Sequence, residues 1–213
     1  MAAALSAFER FVLPFVAGAP VPAVHDAVLD AAIEFCTRTR AARQTLAPLD
    51  VAAGPVPVQI PAPAGMQLVE VYAAWLPEGE IFPATRPELD AAPGWQALVA
   101  ADWRGVLRFY CPAPDQIRLV PQAPAAMADA LTLEVIVAPA REATEVPDIL
   151  LQRYPEQVAA GALARLHQHP ASYADPARAA SYLTMFDNYC TTLADQSNHG
   201  FSNQPLRTGR DAL

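Results

Sequence analysis

The sequence predicts an α+β protein: a helical bundle drawn from both chain ends, an antiparallel β-rich module inserted between them, and an extended C-terminal arm. Three observations carry that expectation. Apolar residues recur with a helical period near both ends. They recur with a period of two, between proline-containing turns, through the middle. The final stretch has no period. The resulting divisions are residues 1–43, 44–140, 141–200 and 201–213.

The first zone reads as helical to about Arg43. Pro22 fits a first helical turn, where its missing N–H costs nothing. Val24, Val28, Ala31, Ala32 and Phe35 then fall on one helix face. Leu29, Ile33 and Cys36 widen that stripe, so the helix should be buried on more than one side. Arg38, Arg40 and Arg43 gather near its end, where cations complement the helix dipole.

In the middle zone Val56, Val58 and Ile60 alternate with other residues, as do Val69, Val71 and Ala73. Residues 107–110, 116–120 and 131–137 continue the period-two pattern of antiparallel strands. Pro112-Ala113-Pro114-Asp115 suits a hairpin connection. Residues 86–98 suit a short helix beside the sheet, with Leu89, Trp95 and Leu98 as its contacts.

The third zone opens at Pro147 and Asp148 and carries Ile149, Leu150, Leu151, Tyr154, Val158, Ala162, Leu163 and Leu166. Pro155 must kink this helix or start a new one, and Pro170 ends it. After a link over 171–177, Asp175 serves as N-cap and Pro176 as the first helical residue. Ala179, Tyr182, Leu183, Phe186, Cys190 and Leu193 form the next stripe, and Gly200 suits its end. The N-terminal helix and this C-terminal pair offer one another matching stripes.

Composition bounds the function. With 213 residues, 53% apolar and 17% charged, the chain fits one domain or one domain with an insertion, and disorder is excluded. All 14 basic residues are Arg and the net charge is −8, a poor balance for gripping nucleic acid, whose affinity comes from neutralised phosphates. No apolar stretch reaches the ~18 residues of a membrane span. Glu9 and Arg10 interrupt the first apolar residues, so a secretory leader is not expected. Cys36, Cys111 and Cys190 are far apart and odd in number, which suits buried thiols in a reducing, intracellular setting.

Chemistry has little support. His167-Gln168-His169 lies near Asp175, Cys190 and His199, yet alternate residues on a helix point about 200° apart and do not chelate. A helix C-terminus, where histidine favours the dipole, explains the first two better. A small metal-dependent enzyme built on His167, His169 and His199 stays as the alternative from another class. Cys190 falls on the apolar stripe and reads as a core residue. Asp26, Asp30 and Glu34 line one helical face, and Glu142 and Glu145 a connector; both sets read as solvated. No nucleophile elbow, phosphate-binding loop or dinucleotide fingerprint occurs. No catalytic residue, metal or cofactor is therefore expected. The terminal segment looks instead like an arm that orders on a neighbouring subunit, with Phe201, Leu206 and Leu213 as anchors beside Arg207 and Arg210.

One resemblance spans most of these features. Ile117-Arg118-Leu119-Val120-Pro121, the alternating Leu131, Leu133 and Val135, then Pro139, Ala143-Thr144, Pro147-Asp148 and Tyr154 are part of it. Gly161-Ala162-Leu163-Ala164-Arg165-Leu166, followed by Pro170 and an Asp175-Pro176 helix start with Ala180, Tyr182 and Phe186, is the most specific part. Ala32-Ile33-Glu34-Phe35-Cys36 and Arg38 extend it to the first helix. The pattern resembles the head-to-tail adaptor (connector) proteins of tailed bacteriophages. It is thin between about Glu78 and Trp103, and Pro155 departs from it. The resemblance implies a structural virion protein at the neck, assembled in the host cytoplasm. It implies a ring, usually of twelve copies, that joins portal to tail or nozzle and extends a channel through which DNA passes without specific binding. It also implies a C-terminal arm that docks on the portal, with Phe201, Leu206, Arg207, Arg210 and Leu213 as candidate contacts by position. A tail-completion protein that contacts the tail and not the portal is the nearest alternative.

Overall fold

A computed structural model describes residues 2–92, 94–99 and 107–199, the last three for their backbone alone. It is of the mixed α+β class. Its centre is helix α2 (Val21–Thr39), preceded by a short helix α1 (Glu9–Val12). The predicted face of α2 is buried: Val24, Val28, Ala31, Ala32 and Phe35 are all inaccessible. Leu29 and Cys36 are buried as well, because helices α5 (Pro155–Gln168) and α6 (Pro176–His199) and a long strand, β9 (Met127–Pro139), all pack against α2.

Two differences from expectation lie in this first zone. The helix ends at Thr39 and not near Arg43. Arg40 adopts the left-handed conformation (φ 56°, ψ 26°) and its N–H donates to the Cys36 carbonyl. This cap is usually made by glycine, so an arginine there leaves no mark in the sequence. Ala2–Ala4, the strongest intrinsic helix formers, form strand β1, paired antiparallel with β10 (Glu145–Pro147). Partner backbone outweighs local preference there.

The larger sheet contains β2 (Arg43–Thr45), β3 (Leu49–Val51), β4 (Val58–Gln59), β5 (Met66–Leu76), β6 (Gly79–Pro83), β7 (Arg108–Ala113), β8 (Gln116–Val120) and β9. Their spatial order is β2-β9-β5-β6-β7-β8-β4, with β3 also on β9. The Val56–Val58–Ile60 alternation yields only the two-residue β4, since Pro57 and Pro61 remove ladder donors on either side. From Val135 to Ala138 β9 is buried on both faces, which accounts for its near-continuous apolar run. Strand β5 carries two bulges against β9: Leu68 faces Val137 and Glu70 faces Ile136, then Val71 faces Val135 and Ala73 faces Glu134. Val69 and Tyr72 are the extra residues, and each such insertion bends the strand, so the sheet curls.

One pair breaks the antiparallel expectation. Strands β6 and β7 run parallel, with Phe82 opposite Arg108 and Pro83 opposite Phe109. A hairpin could not produce this; a crossover can. The crossover holds α3 (Arg86–Asp90), started by a capping box in which Thr85 and Glu88 each accept from the other's backbone. Leu89 and Trp95 close a small second core with Ala84 and Val120. The Pro114-Asp115 turn joins β7 to β8 where the tetrapeptide predicted a hairpin.

In the third zone Pro155 starts a new helix. Tyr154, at φ −129° and ψ 32°, separates α4 (Asp148–Arg153) from α5. Asp175 caps α6, its Oδ1 accepting from the N–H groups of Ala177 and Arg178. Gly200 lies outside the described residues.

Three helices meet where α5 has no side chain. A Cβ at Gly161 would stand 2.7 Å from the Phe186 ring on α6 and 3.0 Å from the Ala31 Cβ on α2. Alanine would add up to about 1 kcal/mol of helix propensity, but overpacking at this density costs about 1–3 kcal/mol. Gly161→Ala is therefore expected to lower the urea midpoint, and adding Phe186→Leu should recover part of the loss. Additive effects of the two substitutions would show that the contact is not tight.

Candidate functional site

The acidic face of α2 is divided by the fold. Asp26 is exposed, and Asp30 pairs with Arg141 at 3.3 Å. Glu34 is not simply solvated. It pairs with Arg38 one turn on, at 2.9 Å, and with Arg165 of α5. Arg38 reaches on to Asp187 of α6 at 2.6 Å. The guanidinium carbons of Arg38 and Arg165 lie 5.8 and 5.7 Å from the centre of the Phe186 ring. A charged lattice thus spans the same three helices as the Gly161 contact and covers the ring with cations.

His167 and His169 lie in different surroundings. His167 is buried, its Nδ1 is 3.0 Å from the Tyr173 carbonyl, and its ring stacks on Tyr182 at 5.9 Å. His169 is exposed at the C-cap of α5. The side chain of His199 lies outside the described residues. Among the described residues no group of three or more His, Cys, Asp or Glu could hold a metal ion.

Burial governs the cysteines. It pushes the Cys36 thiol up to about 12 and the Cys111 and Cys190 thiols up to about 11, which disfavours the nucleophilic thiolate. Cys190 sits on the buried stripe of α6 together with Ala179 and Phe186. Leu183, read from sequence as part of that stripe, is instead exposed.

The arm candidates Phe201, Leu206, Arg207, Arg210 and Leu213 lie outside the described residues. What the structure adds is surface. A groove of about 270 Å³ lies over α5, lined among others by Arg10, Phe11, Phe15, Glu156, Leu163, Tyr182 and Met185. Phe15 and Met185 there are 51% and 44% exposed, and Phe82 of β6 is 50% exposed. Sequence periodicity could not single these out, since it cannot tell which apolar residue of a wide stripe stays uncovered. Among the described residues no helix is long and apolar enough to cross a membrane.

The family model for the SU10 adaptor protein matches residues 5–209, nearly the whole chain. The chain belongs to this family of phage head–tail adaptors. No curated protein matches it. The burial of the cysteines sets their titration. A thiol held above its ordinary 9.0 contributes its full stability below that pH and loses it as the pH rises toward 11–12. Urea midpoints are expected to fall between pH 9 and 11, and to fall less in Cys111→Ala. At pH 8 all three thiols should react with a disulfide reagent at least about tenfold slower in the native than in the denatured protein. Equal rates would show that the thiols are accessible.

Proposed function

We propose that the protein is a structural, non-catalytic virion component of the phage neck, a head-to-tail adaptor that forms a ring of twelve copies. The ring joins the portal to the tail or nozzle and extends the DNA channel. The family match over residues 5–209 carries this reading. Composition supports it, because a lysine-free chain of net charge −8 has little to hold the phosphates of DNA that must slide past. Head-to-tail contacts repeated about an axis close into a ring. Assembly takes place in the host cytoplasm before the neck is complete.

Within this reading residues 1–43 and 141–200 build the bundle and 44–140 the β-rich module. Residues 201–213 are the arm that docks on the portal, with Phe201, Leu206 and Leu213 as anchors and Arg207 and Arg210 as partners for acidic groups. The test is a mass distribution of the purified chain, alone and with the cognate portal ring. One added copy per portal subunit, or a closed ring of the chain alone, is the expected result. Deleting residues 202–213 should weaken portal binding at least about tenfold, or 1.4 kcal/mol, with an unchanged unfolding midpoint. Binding to tail protein but not to portal would assign the chain to tail completion.

A further inference from the structure

Two surfaces far apart in sequence have matching chemistry. The first is the groove over α5. Its floor and walls are apolar, from Phe11, Phe15, Leu163, Tyr182 and Met185, and it carries one cation, Arg10, and one anion, Glu156. The second is a row on the sheet. Glu80 and Phe82 are two residues apart on β6 and so share a face. Arg108 is the register partner of Phe82 on the parallel strand β7 and brings a cation to the same exposed face. The row thus presents an anion, an uncovered aromatic ring and a cation.

Arg10, Glu156, Glu80 and Arg108 are all exposed, and among the described residues none of them belongs to an ion pair. Arg10 rests against the ring of Phe11, 4.6 Å from its centre. Among the described residues Arg38, Arg40, Arg86, Arg141, Arg165 and Arg178 have carboxylate partners. Together with the Thr85 backbone hydrogen bond, Arg108 lies close enough to Glu88 to help hold its carboxyl below the ordinary value. The charges beside the groove and beside Phe82 are reciprocal in sign.

We propose that these surfaces meet between copies of this chain: Phe82 of one copy enters the groove of the next, with Glu80 facing Arg10 and Arg108 facing Glu156. The inference rests on the ring reading and names its contact. The occupant is a second copy because groove and row each supply what the other lacks, an apolar recess and an uncovered aromatic ring, with paired signs. The contact is heterologous, since each copy offers the groove to one neighbour and the row to the other, so it propagates without a two-fold dimer, as the ring reading requires. The aromatic anchor excludes water, and the flanking charges set the register and reject a flipped neighbour.

The experiment uses the full chain, alone and with the cognate portal ring, and reads oligomer mass against concentration. Arg10→Glu and Glu80→Arg each place like charges across the contact and are expected to raise the self-association midpoint at least about tenfold. The double variant restores the opposite pairing and should return to within about threefold of the wild type. All three should keep the wild-type unfolding midpoint, since both positions are exposed. As an independent readout, Phe82→Cys combined with Met185→Cys should give oligomers linked by disulfides, and either cysteine alone should not. Rings that form with wild-type midpoints in both single variants would overturn this contact and leave the ring reading in place. Loss of portal binding with self-association intact would give the groove to the portal and overturn it too. A wild-type chain that never self-associates, with or without portal, would remove the ring reading and the contact together.

Discussion

The Phe186 ring lies against the bare backbone of Gly161, and the positions of the other large elements follow from that contact. With no Cβ on α5, the Phe186 ring of α6 and Ala31 of α2 both close in on the Gly161 main chain. Phe35 of α2 packs on Tyr154 at 5.3 Å and on Phe186 at 6.3 Å, so the aromatic cluster includes the residue where α4 gives way to α5. The ion pairs of Glu34, Arg38, Arg165 and Asp187 lie over the same junction. Half-exposed pairs contribute little each, typically under 1 kcal/mol. Their value here is registry: they connect three helices at one level, and the buried rings supply the energy.

From this junction the sheet is placed. Strand β9 packs on α2 with one face and carries β5, β2 and β3 on its edges. Because α2 is fixed by α5 and α6, β9 is too, and the bulged β5 carries the curl outward to β6, β7 and β8. A second small core around Trp95 holds the crossover, with the indole N–H donating to Asp90 at 2.9 Å.

The sequence made the long elements legible where packing and local preference agree. The α2 stripe, the paired starts at Pro155 and at Asp175-Pro176, and the apolar run of β9 each combine a periodic pattern with a punctuating residue. Where the two conflict it misled. Ala2–Ala4 carry a helical preference that pairing with β10 overrides. Arg40 makes a cap that glycine would have announced. The parallel β6–β7 pair depends on a crossover whose length, not its pattern, decides direction. Glu34 looked solvated because periodicity sees one helix at a time, whereas its partner Arg165 comes from α5. Leu183 looked buried for the same reason. Assembly surfaces are harder still to read, since an uncovered aromatic and a buried one are written with the same letter.

The connectivity of the bundle sets a timetable for its synthesis. Helix α2 ends at Thr39, but its main helical partner begins at Pro155. At about 5–20 residues per second, a ribosome needs roughly 6–23 s to make the intervening chain. During that interval neither α5 nor α6 is there to cover the apolar stripe of α2, including Phe35. Strand β9 emerges before α5 and also packs on α2. The β layer is thus in a position to shelter the stripe while translation continues, and the inserted module acts as a temporary cover for the helix that the completed bundle will enclose.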